Sequence, residues 1–143
     1  MTSLTYASLT KKNHISIIEF KNPPVNALSQ YAVPDMLTLF KEANNDPETK
    51  IIILMGGNKT FIGGADINEF FTIFNNPSMA VFDTIDYIEH KNKKVTIAAI
   101  DGYALGGGLE VALACDYRVA LNTTKIGFPE VHIGVLPGAG GTQ

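Results

Sequence analysis

The chain has 143 residues, about one domain, and its 45% hydrophobic content can build a core, which excludes an intrinsically disordered chain. Lys and Arg number 11 against 14 Asp and Glu, and the resulting formal charge of −3 argues against a surface that neutralises nucleic-acid phosphates. The single cysteine, Cys115, excludes a disulfide framework and fits a reducing compartment.

The opening MTSLTYASLTKKNHIS lacks the apolar run of a secretory leader, and no stretch reaches the ~18 uninterrupted apolar residues of a membrane span. A soluble, non-secreted protein is therefore expected. LTYASLTKKNHISIIEF alternates in two short runs separated by Lys11 to His14, which predicts two paired strands. KNPPVNALS (21–29) reads as a turn-rich loop. Ser29 is expected to cap a helix from about Tyr31 to Asn44, where Val33, Met36, Leu37, Phe40 and Ala43 recur at helical spacing and Pro34 lies in the first turn.

IIILM (51–55) is a continuous apolar run bounded by Gly56-Gly57, and predicts a strand buried on both faces. ADINEFF (65–71) predicts a short helix. A longer one is expected from about Ser78 to His90, with Val81, Ile85 and Ile88 on one stripe. VTIAAI (95–100) reads as a buried strand, about Gly107 to Cys115 as a helix, and YRVAL (117–121) as a further strand. The chain stops in GVLPGAGGTQ, a glycine-rich turn with nothing after it to pack upon, so residues 1–143 are expected to be the front part of a longer domain.

All 13 glycines lie at or after Gly56, which directs the search for function to the second half. From Gly102 to Cys115, GYALGGGLEVALAC, the only acid or base is Glu110. Burial disfavours the ionised form of such a carboxylate and suits it to proton transfer. The structural alternative is a helix-start glutamate favoured by the dipole. In IGFPEVHIGVLPGAGG (126–141), Glu130 is again the only acid, with His132 the other titratable group. Two isolated carboxylates serve a reaction in which one group takes a proton while the other delivers one. The alternative for Pro129-Glu130 is the plain start of a helix.

Gly106-Gly107-Gly108 opens a helix just after a buried strand, so N–H groups without intrahelical partners point out at the strand's carboxyl end. GGADI (63–67) repeats the arrangement after IIILM. N–H groups converging from the two loops would hold an oxyanion, although each loop taken alone is also a tight strand-to-helix turn. Neither a phosphate-loop lysine nor a G-x-G-x-x-G dinucleotide spacing is present, and no G-x-S-x-G elbow exists. His14, His90 and His132 are dispersed without cysteine partners, so no metal site is expected, and Cys115 reads as core.

FIGGADI (61–67), AAIDGYALGGGLEVALACDYRVA (98–120) and IGFPEVHIGVLPGAGGTQ (126–143) resemble the enoyl-CoA hydratase/isomerase, or crotonase, family. The likeness runs from KNPPVNALS to the last residue. Its wording is most similar to the N-terminal part of peroxisomal-type multifunctional enzymes, which fuse hydratase/isomerase to a 3-hydroxyacyl-CoA dehydrogenase.

The resemblance implies an α/β fold, a spiral of strand-strand-helix repeats followed by C-terminal helices that trimerise or dock on a fused dehydrogenase. Residues 1–143 would be the N-terminal part of that domain. By matching positions, Ala65 and Gly107 would donate the oxyanion-hole N–H groups, and Asp66, Ile67 and Asn68 would line the acyl-CoA groove. A lysine is common after Ile67 in the family, so Asn68 departs from the pattern. Glu110 would deprotonate the attacking water, and Glu130 would deliver a proton to the α-carbon.

The implied activity is hydration of trans-2-enoyl-CoA to 3-hydroxyacyl-CoA in fatty-acid β-oxidation, and Glu130 alone would suit 3-enoyl to 2-enoyl isomerisation. Hydration needs no cofactor, and NAD enters only with a fused dehydrogenase. The expected partners are the acyl-CoA and either further copies of the chain or that dehydrogenase, in the cytoplasm or peroxisome. Alternatives within the family are a hydrolase or dehalogenase, or a non-catalytic acyl-CoA- or RNA-binding relative. Presence of both glutamates argues against each.

Overall fold

The computed structural model describes residues 1–69 and 79–143. Six strands form the main sheet in the order β1 (Thr2–Ser3), β2 (Ala7–Lys12), β3 (Ile15–Phe20), β4 (Ile51–Gly56), β5 (Val95–Ile100) and β7 (Tyr117–Ala120). β2 and β3 pair antiparallel across the turn at Asn13-His14, as the alternating pattern predicts, with Leu9 opposite Ile18. From β3 onward every pairing is parallel. The carboxyl ends of β3, β4 and β5 therefore share one edge, and the three following loops gather there, where α/β sheets place their ligands.

The rows of the sheet explain the core. Ile18, Leu54 and Ala98 lie side by side in register and are buried, and Met36, Leu39 and Phe40 of α1 (Val33–Asn45) are buried with them. Ser16 and Thr96 occupy the same face and are satisfied there. Ser16 Oγ lies 2.7 Å from Thr49 Oγ1, and Thr96 exchanges hydrogen bonds with Asp116. The expectation that IIILM is buried on both faces is corrected. Ile52 and Leu54 are buried, Ile51 and Ile53 are half-buried and Met55 is exposed, because the alternate face lacks a full covering layer.

Helix α1 begins at Val33, not Tyr31, and Ser29 does not cap it. Its Oγ instead accepts the N–H of Ala32 at 3.2 Å, in the turn before the helix. The buried stripe uses Leu39 where periodicity chose Leu37, because the side of the helix that meets the sheet decides which flank of the Met36–Phe40 stripe is covered. Helix α2 (Ala80–Asp86) continues into a π turn at Tyr87–Lys91, burying Ile85 and Ile88. Ser78, Phe70 and Phe71, assigned to helices by pattern, lie outside the described residues, and Ile67–Glu69 forms a 3-10 turn. Helix α3 (Gly107–Ala114) and β7 agree with expectation. Not foreseen is a two-stranded parallel pair, β6 (Tyr103–Leu105) with β8 (Lys125–Gly127), nor the 3-10 turn Pro129–Ile133.

Asn26 ties the first loop to the second. It is fully buried at φ 53°, and its Nδ2 donates to Gly57 O at 2.8 Å and Thr60 O at 2.6 Å. Its Oδ1 accepts the Asn22 N–H at 2.9 Å. Asn26→Ala takes the side-chain donor from Thr60 O, leaves Gly57 O only the Thr60 N–H at 3.3 Å and puts alanine at a positive φ, and it is expected to cost about 2–4 kcal/mol, a loss that urea unfolding will read directly. A change below about 0.5 kcal/mol would show that this buried tie is dispensable.

Candidate active site

The chain between β4 and α2 turns through Asn58 and Lys59, both at positive φ, then runs against the segment after β5. Phe61 N donates to Asp101 O at 2.9 Å, Ile62 N to Tyr103 O at 3.1 Å, and Leu105 N to Ile62 O at 3.1 Å. On its other side the strip meets the first loop. Leu28 N donates to Gly64 O at 2.8 Å, and Asp66 N donates to Leu28 O at 3.2 Å. Both bonds bypass Ala65, whose N–H has no partner among the described residues.

Gly107 is the first residue of α3, where an N–H has no intrahelical acceptor, and it too is unpartnered among the described residues. Gly106 before it has φ 52° and ψ −125°, a conformation that favours glycine. A β-carbon built on Gly107 would lie 3.8 Å from Ala65 N and 3.8 Å from Glu110 Oε2. Leu28 Cδ1 lies nearer still, at 3.1 Å, so two amides without partners among the described residues, one carboxylate oxygen and an apolar methyl group border a single small space.

Glu110 projects from the first turn of α3 and is 5% exposed. Its Oε1 accepts the N–H of Ala139 at 2.7 Å and of Gly141 at 3.0 Å, leaving Oε2 for the space beside Gly107. Glu130, in the Pro129–Ile133 turn, comes up against Gly106, the residue before Gly107. A β-carbon on Gly106 would meet Glu130 Oε1 at 2.8 Å. The buried Oε2 of Glu130 has no hydrogen-bond partner among the described residues. One carboxylate therefore flanks Gly106 and the other Gly107.

The remaining positions singled out by sequence fall beside this space or away from it. Asp66 Oδ1 accepts both the backbone N–H of Asn68 at 2.9 Å and its Nδ2 at 3.0 Å, so these two side chains are spent on each other. Ile67 is 72% exposed, an apolar side chain at the rim. His132 is exposed, and its ring bonds to Pro129 O. No group of three or more His, Cys, Asp or Glu that could hold a metal ion occurs among the described residues. Sequence reasoning missed Leu28, whose backbone frames Ala65, and Ala139 and Gly141, whose amides hold Glu110.

The family model for enoyl-CoA hydratase/isomerase matches residues 10–143. The chain belongs to this family. A peroxisomal bifunctional enzyme of Danio rerio is 43% identical over 132 residues, covering 92% of this chain and 18% of the relative. A probable enoyl-CoA hydratase of Bacillus subtilis is 36% identical over 141 residues, which are 95% of this chain and 54% of the other. The solved enoyl-CoA hydratase of Bacillus anthracis superposes with a TM-score of 0.89 at 32% identity, covering 97% of this chain and 56% of that one. The α/β crotonase-type fold implied by the resemblance is thus the fold observed. The chain spans less than a fifth of the bifunctional relative and about half of the two shorter ones.

Within this enoyl-CoA hydratase/isomerase chain Cys115 is 3% exposed at the end of α3, with Sγ directed to Val111 O. Burial pushes its thiol up from 9.0 to about 12, so no thiolate nucleophile forms near neutrality. Because the folded value is the raised one, any stability it contributes is intact below pH 9.0 and declines as pH climbs towards 12. Ellman's reagent at pH 8 is expected to leave the native protein unlabelled and to label it fully in denaturant. Rapid native labelling would contradict the buried, protonated thiol.

Proposed function

We propose that the intact protein hydrates trans-2-enoyl-CoA to 3-hydroxyacyl-CoA, as a step of fatty-acid β-oxidation, and also isomerises 3-enoyl-CoA to 2-enoyl-CoA. The observation that carries this reading is the shared space in which Ala65 N, Gly107 and Glu110 Oε2 meet, with Glu130 Oε1 against Gly106. In it the thioester oxygen accepts hydrogen bonds from the Ala65 and Gly107 N–H groups. Each such donor is worth about 3–4 kcal/mol where negative charge develops on the oxygen.

Hydration then follows from the placement of the two acids. Glu110 Oε2 takes a proton from a water whose oxygen bonds to C3. The electron pair of the C2–C3 double bond moves towards the thioester, and the enolate oxygen is held by the two amides. Glu130 returns a proton to C2, completing addition of H and OH. Isomerisation needs no water. Glu130 removes a proton from C2 of the 3-enoyl thioester and redelivers it to C4, with the same amides holding the dienolate.

Asp66, Ile67 and Asn68 would line the approach of the acyl-CoA, with the exposed Ile67 side chain as its apolar contact. Residues 1–143 are read as the N-terminal part of the crotonase domain. Similarity to peroxisomal bifunctional enzymes supports a parent that carries an NAD-dependent 3-hydroxyacyl-CoA dehydrogenase and works in the peroxisome or cytoplasm, either through that fusion or as a homo-oligomer. The hydration chemistry itself calls for no cofactor.

In the intact protein, Glu110→Ala and Glu130→Ala are each expected to lower hydratase kcat by about 10²-fold or more, read as loss of the conjugated thioester's absorbance. Glu110→Ala should spare isomerase activity far more than hydratase activity, whereas Glu130→Ala should remove both. Normal hydration by Glu110→Ala, with only a small drop in Tm, would mean that this glutamate merely favours the helix dipole.

A further inference from the structure

The tail that holds Glu110 is itself fixed by a contact that the reaction scheme does not use. A β-carbon on Gly141 would meet Phe128 Cζ at 2.6 Å, Phe128 Cε1 at 2.7 Å and Glu110 Cγ at 3.1 Å. Gly141 is therefore a flat spacer between an aromatic ring and the stem of Glu110. Phe128 and Ala139 both pack against the hydrophobic core, so the ring and the tail are anchored at separate points. The two amides that occupy Glu110 Oε1 belong to Ala139, at the second anchor, and to Gly141, against the ring. Phe128 also stands immediately before the Pro129–Ile133 turn that carries Glu130. Neither Phe128 nor Gly141 directs a polar side-chain atom into the reaction space.

We propose that Phe128 and Gly141 form a positioning pair: the ring backs the tail so that the Ala139 and Gly141 amides hold Oε1 of Glu110 and leave Oε2 for the attacking water. The proposal deepens the hydratase reading and rests on it for its kinetic consequence. The physical requirement is steric. A methyl group at 141 must displace the ring or the glutamate stem, and either movement lengthens the amide bonds that fix the carboxylate. A catalytic group displaced by about 1 Å loses about 10²-fold in rate.

In the intact protein, Gly141→Ala is expected to lower hydratase kcat by about 10²-fold with KM within about threefold, since the substrate contacts are elsewhere. Phe128→Ala removes the ring that backs the tail and should lower kcat in the same direction, and the two losses should be far from additive in Phe128→Ala/Gly141→Ala, because both act through the same pair of amides. Gly138→Ala is the control, because a β-carbon there meets nothing within 4 Å, and its kinetics should match the wild type. Backbone hydrogen exchange across residues 139–141 supplies a readout independent of turnover: slow in the wild type, faster in Gly141→Ala. If Gly141→Ala fails to fold, Phe128→Ala is read in its place by the same exchange and kcat measurements, with the same expected directions.

An active wild type whose kcat and exchange are unchanged by either substitution overturns the positioning role. So does a loss in Gly141→Ala that appears in KM alone, or that adds in full to the loss of Phe128→Ala in the double variant. A folded wild type that hydrates no enoyl-CoA, yet shows the protected amides and their loss on substitution, overturns the hydratase reading and leaves the clamp standing.

Discussion

The strip 56–65 and the segment 102–108 approach so closely that a β-carbon has no room between them, and the site depends on that approach. A side chain on Gly102 would collide with Lys59 O, and one on Gly108 with Ile62 O. The backbones can therefore hydrogen-bond to each other directly, and these bonds consume the N–H groups of Phe61, Ile62 and Leu105. Ala65 and Gly107 fall just beyond the paired stretch. Their amides have no partner among the described residues because neighbouring backbone has already found partners, and because the first turn of a helix offers none. An unpaired N–H is costly when shut away from water, so its natural place is at an opening where a ligand oxygen completes it.

The two carboxylates are treated differently by the same scaffold. Glu110 stands on a rigid helix, and Arg118 secures that helix at its other end by donating to the carbonyls of Ala112 and Cys115 at 3.2 and 2.8 Å. One oxygen of Glu110 is fully engaged, which fixes the plane of the group and the direction of the other. Glu130 sits on a short turn and keeps a buried oxygen without a partner among the described residues. Leaving such an atom unsatisfied costs stability, and this is a cost that functional sites bear. The proposed division of labour, with Glu110 on the water and Glu130 on carbon, rests on this asymmetry.

Much of the fold was legible because its elements are local. The alternation on either side of Lys11–His14 appears as β2 and β3, and the apolar runs at 51–55 and 95–100 appear as β4 and β5. Where the pattern failed, a longer-range effect had intervened. Ser29 has the chemistry of a helix cap, but the preceding turn claims it. β6 and β8 carry weak patterns of their own and exist because Gly102 O and Gly127 O find N–H partners across the gap. The burial of IIILM on both faces was overestimated because coverage of a second face is decided by what packs there, which hydropathy along the strand does not record.

For the site, the sequence by itself determined which residues were available: two glutamates isolated in apolar, glycine-rich segments, and two glycine loops each following a strand. Those are properties of composition and spacing, and they survive any packing. Only the tertiary structure decided that the four meet. Residue 65 comes from the strip after β4, residues 107 and 110 from the start of α3 and residue 130 from the turn after β8; the parallel register of β3, β4 and β5 brings the first two segments to one edge, and the β6–β8 pair carries the third to Gly106. The hold of Ala139 and Gly141 on Glu110 lay beyond sequence altogether. It is made by backbone amides, which every residue but proline possesses, so no side-chain identity could signal it until the chain had folded back upon itself.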